Sequence, residues 1–291
     1  MKTRIKRFYK RFIKVIRRSD MKLLPGQLAF FMVLAIVPTL TLLTYGASVL
    51  NLSMDFIYSF LEKAFSNDVA RLLLSTSSDS TGLKLTILLL TCYYLSSNGM
   101  DSVILCSNTI YNIENKGWFK RRFKAIVLSI ILILLLIFLL LVPVFGSVVV
   151  NLITKVNLNP GTTNIVIKVF EYLRSPIMIV LLFFVIKIIY TLAPDKKIKS
   201  HNTNYGALFT TILWTIVTEI YSCYIQNYAS YTSFYGGLAN ICILMIWFYF
   251  LAYVFAIGMA LNYQRENDNY QNYHNKLVAL VYNNNMYTGI T

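Results

Sequence analysis

Asp101 and Glu219 each stand inside a long run otherwise made of Leu, Ile, Val, Phe and small polar residues. A carboxylate in such surroundings is costly unless it is paired, hydrogen-bonded or used to carry a proton or cation. Around Asp101, the residues Tyr94, Ser97, Asn98 and Asn108 recur at spacings that gather them within about 100° of arc on a helix of 3.6 residues per turn. Around Glu219, a second stripe holds Thr211, Thr215, Thr218, Ser222 and Gln226. Two such stripes facing a common interior suit a path for a polar headgroup, a proton or a cation, whereas Ser and Thr taken singly serve as ordinary helix-to-helix hydrogen bonds. Lys187 is the cation well inside an apolar run, placed either to pair with Asp101 or to reach the headgroups along its own stem. Metal or cofactor chemistry is not expected, because the two histidines, His201 and His274, lie on different polar segments. Cys92, Cys106, Cys223 and Cys242 fall singly inside apolar runs and read as small buried thiols.

The elements that must carry these residues follow from composition. With 57% hydrophobic residues, 13% charged ones and a mean hydropathy of +0.59, the chain holds more apolar surface than a soluble core of this size can bury. The fold class is an all-α polytopic membrane protein with six spans, at 27–50, 83–111, 123–150, 176–193, 205–228 and 238–262. The third span is nearly pure Leu, Ile, Val and Phe, so it is peripheral, with a kink at Pro143. Ala252, Ala256 and Ala260 make a close-packing ridge on the sixth. Apolar residues at helical spacing over 56–72 predict a short outer-surface helix, and a second helix over 164–174 ends at the Ser175-Pro176 break. Residues 263–291, rich in Asn and Tyr, form a polar, partly disordered tail.

The net charge of +15 does not imply nucleic acid, because the cations gather at helix ends and no aromatic-interleaved basic groove is present. Ten Lys and Arg residues precede the first apolar run. Within residues 1–26, Ile5, Phe8, Phe12, Ile13 and Ile16 recur at spacings of three and four, which describes a basic amphipathic helix at the membrane interface, partnered by anionic headgroups. Further cations at Lys116, Lys120, Arg121, Arg122, Lys124, Lys196, Lys197 and Lys199 lie on the same side, so both termini are expected in the cytoplasm.

Three segments carry a resemblance: QLAFFMVLAIVPTL at 27–40, SNTIY at 107–111, and NYASYTSFYGGLANICILMIWFYFLAYVFAIGMALN at 227–262. They resemble the YihY/BrkB family of bacterial inner-membrane proteins, whose pattern joins a Y-x-S-Y-x-x-x-YG turn, a W-x-Y within the last span and a G-x-x-x-N exit. Here those positions are Tyr228, Ser230, Tyr231, Tyr235, Gly236, Trp247, Tyr249, Gly258 and Asn262, with Pro38 matching the proline of the first span and Asn108 the asparagine closing the second. The resemblance implies a six-helix bundle in the inner membrane. Members have carried a ribonuclease BN label and a serum-resistance label, and the family is discussed as a transporter of lipids or amphiphiles. The sequence carries no cluster of metal-holding carboxylates for a nuclease. The expected function is therefore non-enzymatic: movement of a lipid or amphiphile along Tyr94, Asn98, Asp101, Asn108, Lys187, Glu219 and Gln226, with a small-ion or solute path, or a non-transporting envelope scaffold, as alternatives. Membrane lipids are the expected partners, nucleic acid is not, and a homo-oligomer is left open.

Overall fold

The computed structural model describes residues 12–13, 15–49, 83–115, 117–155, 160–228 and 237–288. The expected outer-surface helix over 56–72, and Ile5 and Phe8 of the N-terminal segment, lie outside the described residues. All six expected segments are helical: α1 (Leu24–Val49), α2 (Leu83–Ile110), α3 (Trp118–Lys155), α4 (Pro160–Leu192), α5 (Asn204–Tyr228) and α6 (Gly237–Thr288). No strand occurs among the described residues, as hydrocarbon demands of a chain whose backbone must satisfy itself within each segment. Each helix packs on the next, and α6 returns to α1, closing a ring. By length and apolarity, α3, α4, α5 and α6 each contain a membrane-crossing stretch, and α1 does so as a helix bent by 44° at Pro38, where the missing N–H and the ring disrupt the ladder. The polar stripe of α2 dilutes its hydropathy below that of its neighbours.

Two expectations are corrected. The break at Pro176 does not occur, since α4 runs from Pro160 to Leu192 with Pro176 inside it. In apolar surroundings continuing the helix costs one ladder bond, whereas ending it would strand several. Likewise the tail expected from 263 continues α6 to Thr288, because propagating an existing helix adds a hydrogen bond per residue without the cost of nucleation.

The N-terminal segment is also held differently from a helix lying in headgroups. Val15 and Met21 are buried, and the Phe12 ring meets Phe209 of α5 edge-on at 6.1 Å. Of the expected apolar face, Ile16 is exposed while Phe12 and Ile13 are partly buried. Arg18 donates to the Ile110 carbonyl at 3.0 Å and lies over the Tyr263 ring, so this segment caps the end of α2 and rests on the side of α6. The end of α2 closes with Asn112 in the left-handed region (φ 51), the Ile113 N–H donating to the Asn108 carbonyl at 2.8 Å and the Asn112 N–H to that of Thr109 at 3.2 Å. That is the double closure in which Asn substitutes for Gly.

Among the described residues most of the packed core lies toward the end of the bundle where the cations gather, the basic end, while Leu40, Thr41, Leu43 and Thr44 of α1 stay buried further along. From Val254 to Asn262 every residue of α6 is buried, so this stretch is surrounded on all sides. Residues eighteen apart on a helix share a face about five turns, or ~27 Å, away, and comparing them shows what happens further along. Asn108 is 0% exposed and Leu90 63%; Tyr190 is 0% and Tyr172 82%; Ile104 is buried and Thr86 exposed; Ala260 is buried and Cys242 exposed. On these faces of α2, α4 and α6 packing at the basic end gives way to exposure further along, whereas α1 stays covered there, a Cβ on Gly46 meeting the Ile137 side chain of α3. Accordingly Cys223 and Cys242 are exposed, not buried as expected, while Cys106 is buried and Cys92 partly so.

The tight end is set where α5 crosses α6. A Cβ on Gly206 would collide with the Gly258 carbonyl and the Asn262 amide, and one on Gly258 with Thr210 Oγ1 and Tyr190 Oη. Asn262 Oδ1 accepts from the Gly206 N–H at 2.6 Å, and Tyr190 Oη donates to the Phe255 carbonyl at 2.7 Å. Small residues let backbones approach, and this close packing is what joins helices in lipid, where the hydrophobic effect between them is absent. We expect Gly258→Ala to destabilise the protein by about 1–3 kcal/mol or more, read as a lower thermal midpoint in detergent, whereas Gly26→Ala, with open space around the site, leaves the midpoint unchanged or slightly raised.

Candidate functional site

Four cations, Lys120, Arg121, Arg122 and Lys124, crowd the first two turns of α3, and no acid lies in its first turn. This is the end of a helix where the backbone dipole is already positive, so neutralising groups must come from other elements. Arg121 Nε donates to Asp101 Oδ1 at 2.8 Å, each side chain about one-fifth exposed. Lys124 Nζ donates to Asp195 Oδ1 at 2.8 Å and to the carbonyls of Ala193 and Pro194 at 2.7 and 2.8 Å, closing the end of α4. The Asp195 side chain is 1% exposed. Its Oδ2 accepts from Asn108 Nδ2 at 2.9 Å, and its backbone N–H donates to Asn108 Oδ1 at 2.9 Å. Asn108 thus joins α2 to the α4–α5 connection, using both halves of its amide.

Arg122 has no such acid. Its Nη1 donates to Asn98 Oδ1 at 2.6 Å and its Nη2 to the Tyr94 carbonyl at 2.9 Å, with the Tyr94 ring 4.0 Å from the guanidinium carbon. Arg122 is 9% exposed, and its Nε is buried without a hydrogen-bond partner.

Tyr94, Asn98 and Asp101 therefore come together as their spacing predicted, but along the α2–α3 seam. Lys187 is not the partner of Asp101; its ammonium lies 6.0 Å from the Phe183 ring centre, while Arg121, reaching across from α3, takes the carboxylate. The stripe on α5 does not join this seam. Thr211 and Thr215 donate to carbonyls one turn back on their own helix, and Thr218 and Glu219 are exposed. The described bonds of Thr211 and Thr215 stay within α5 and do not reach the α2–α3 seam. Gln226 and Tyr228 lie on α5, but their side chains, like Ser230, Tyr231, Tyr235 and Gly236 of the outer turn, fall outside the described residues.

A second feature sits further along, away from the basic end. Tyr221 of α5 and Trp247 of α6 stack with ring centres 4.7 Å apart, forming one wall of a cleft of about 440 Å³. Val217, Ile220, Ile243, Ile246 and Phe250 complete an almost wholly apolar lining. Tyr249 lies outside the cleft lining, exposed and 6.1 Å from the Tyr253 ring. At the basic end Tyr111 is buried, its ring edge-on to Tyr263 at 5.4 Å.

Sequence reasoning missed Arg121, Arg122, Lys124 and Asp195 because cations beside a span read as topology markers. The available signal was Asp195 itself, the one acid in the short APDKKIK connection. Lys124→Met leaves Asp195 buried without its cation, and we expect a loss of about 3–5 kcal/mol. Adding Asp195→Asn to that variant should recover part of it, measured as a double-mutant cycle of unfolding in detergent.

Comparison with known proteins agrees with this architecture. A family model described as Virulence factor BrkB matches residues 12–278. The ribonuclease-like protein YfkH of Bacillus subtilis (strain 168) is 28% identical over 242 residues, 81% of this chain and 87% of that protein. A UPF0761 membrane protein of Psychromonas ingrahamii is 26% identical over 263 residues, 88% of this chain and 87% of that one. No solved structure matches. Helices apolar enough to cross a bilayer, together with a family match over nearly the whole length, place the chain in the BrkB family of integral membrane proteins.

Proposed function

We propose that this protein moves a lipid or other amphiphile between leaflets of a bacterial cytoplasmic membrane, with six spans, both termini in the cytoplasm and no enzymatic activity. One observation carries the reading: faces of α2, α4 and α6 that are packed at the basic end are exposed further along, and there an apolar cleft lies between α5 and α6. A lining of Val, Ile, Phe, Trp and Tyr side chains suits a hydrocarbon chain and offers a hydrated ion no ligands. The basic end takes the cytoplasmic side by its Lys and Arg content. The exposed Thr218 and Glu219 of α5 then give a headgroup polar surface outside hydrocarbon. The non-enzymatic part of the reading draws on the dispersal of His, Cys, Asp and Glu, no three of which gather among the described residues.

Purified protein in liposomes should accelerate transfer of a fluorescent phospholipid between leaflets, and Ile243→Trp, which fills the cleft, should slow that transfer several-fold while leaving the thermal midpoint nearly unchanged. Transfer no faster than in empty liposomes, or an ionic current without lipid movement, contradicts the reading.

A further inference from the structure

We infer that Arg122 forms a binding site for a phosphate group, which supplies the counter-charge that no described residue does. The four cations at the start of α3 are not equivalent. Arg121 is paired with Asp101 and Lys124 with Asp195, while Lys120 is exposed to solvent or headgroups. Arg122 alone is both nine-tenths buried and without an acid. A buried lysine in that position would shed its proton, but a guanidinium stays charged at every accessible pH. Its neutral partners, the Asn98 amide oxygen and the Tyr94 carbonyl, satisfy its two Nη groups and leave Nε, a donor aimed along a different edge of the same plane, unpartnered.

The chemistry of that edge selects the ligand. A guanidinium matches the oxygens of a phosphate in geometry and charge, and the positive end of α3 adds to the attraction. Access is one ring deep, because the Tyr94 ring that covers the guanidinium at 4.0 Å is itself half exposed. The surroundings place the site at a lipid surface: Trp118, Phe119 and Phe123, in the same two turns, are 55%, 81% and 70% exposed, the pattern of aromatic side chains at headgroup level. The phosphate belongs either to an anionic lipid headgroup or to a free phosphate ion, and in both cases Tyr94 moves aside to admit it. This site lies on the α2–α3 seam, apart from the α5–α6 cleft, and does not depend on transport.

The experiment measures binding to purified protein in detergent by the shift of the thermal midpoint, with phosphatidylglycerol in one arm and inorganic phosphate in the other. The wild type is expected to be stabilised in at least one arm, phosphatidylglycerol alone identifying a headgroup and inorganic phosphate a free ion. Arg122→Gln should weaken that binding about tenfold or more, while Lys120→Gln retains it. Should Arg122→Gln fail to fold, Tyr94→Ala replaces it and is expected to tighten binding by uncovering the guanidinium. No stabilisation of the wild type in either arm, equal stabilisation of wild type and Arg122→Gln, or no change in Tyr94→Ala overturns the inference.

Discussion

Gly206 and Gly258 meet backbone to backbone, and the form of the bundle follows from that contact. In lipid, helices are held by the closeness of their packing and by interhelical hydrogen bonds worth on average only about 0.6 kcal/mol each. The crossing of α5 and α6 concentrates both, since the Gly206 N–H reaches Asn262 and the Tyr190 hydroxyl reaches the Phe255 carbonyl within the same knot. Trp214 adds a bond to the Leu251 carbonyl at 2.8 Å, two turns further from the basic end. Beyond that level Tyr221 and Trp247 stack on each other and wall the cleft between the two helices. One contact between small residues thus fixes the α5–α6 crossing near the basic end.

Charge is distributed by the same geometry. Acids are scarce at the basic end, and three of them engage a particular cation: Asp101 with Arg121, Asp195 with Lys124, and Glu266 with Lys196 at 3.4 Å, while Glu114 is exposed in the α2–α3 connection. In the last pair Lys196 is largely exposed, and such pairs contribute little. The first two lie where water is excluded or nearly so, and they fix α3 against α2 and against the end of α4. Tyr93 strengthens the α2–α3 seam by donating to the Ile126 carbonyl at 2.6 Å. Arg122 is the buried cation that none of these three acids reaches.

Helix positions were legible in the sequence because apolar runs of span length admit few alternatives, and the ridge of Ala252, Ala256 and Ala260 is indeed wholly buried. The grouping of Tyr94, Asn98 and Asp101 was legible from spacing, and the G-x-x-x-N exit could be picked out as a pattern. Its physical meaning was not, since nothing local to Gly258 reveals that Gly206, 52 residues earlier, lies against it. The partner of Asp101 stayed open between Lys187 and another cation for the same reason: periodicity gives the face of one helix and says nothing of which neighbour presents a cation there. Pro176 misled because a rule drawn from water overestimates how readily a helix ends in hydrocarbon.

Cysteine labelling from the aqueous phase tests the change from covered to exposed faces along the helices most directly. Thr211 and Thr218 lie on one flank of α5, and Ser97 and Thr86 on one face of α2, with the first of each pair buried and the second exposed. Introduced singly into a cysteine-free protein in liposomes, Thr218→Cys and Thr86→Cys should react with a charged, membrane-impermeant maleimide, while Thr211→Cys and Ser97→Cys should not. Equal labelling within each pair, or reaction confined to the buried positions, would contradict faces of α2 and α5 that are sealed toward the basic end and open further along.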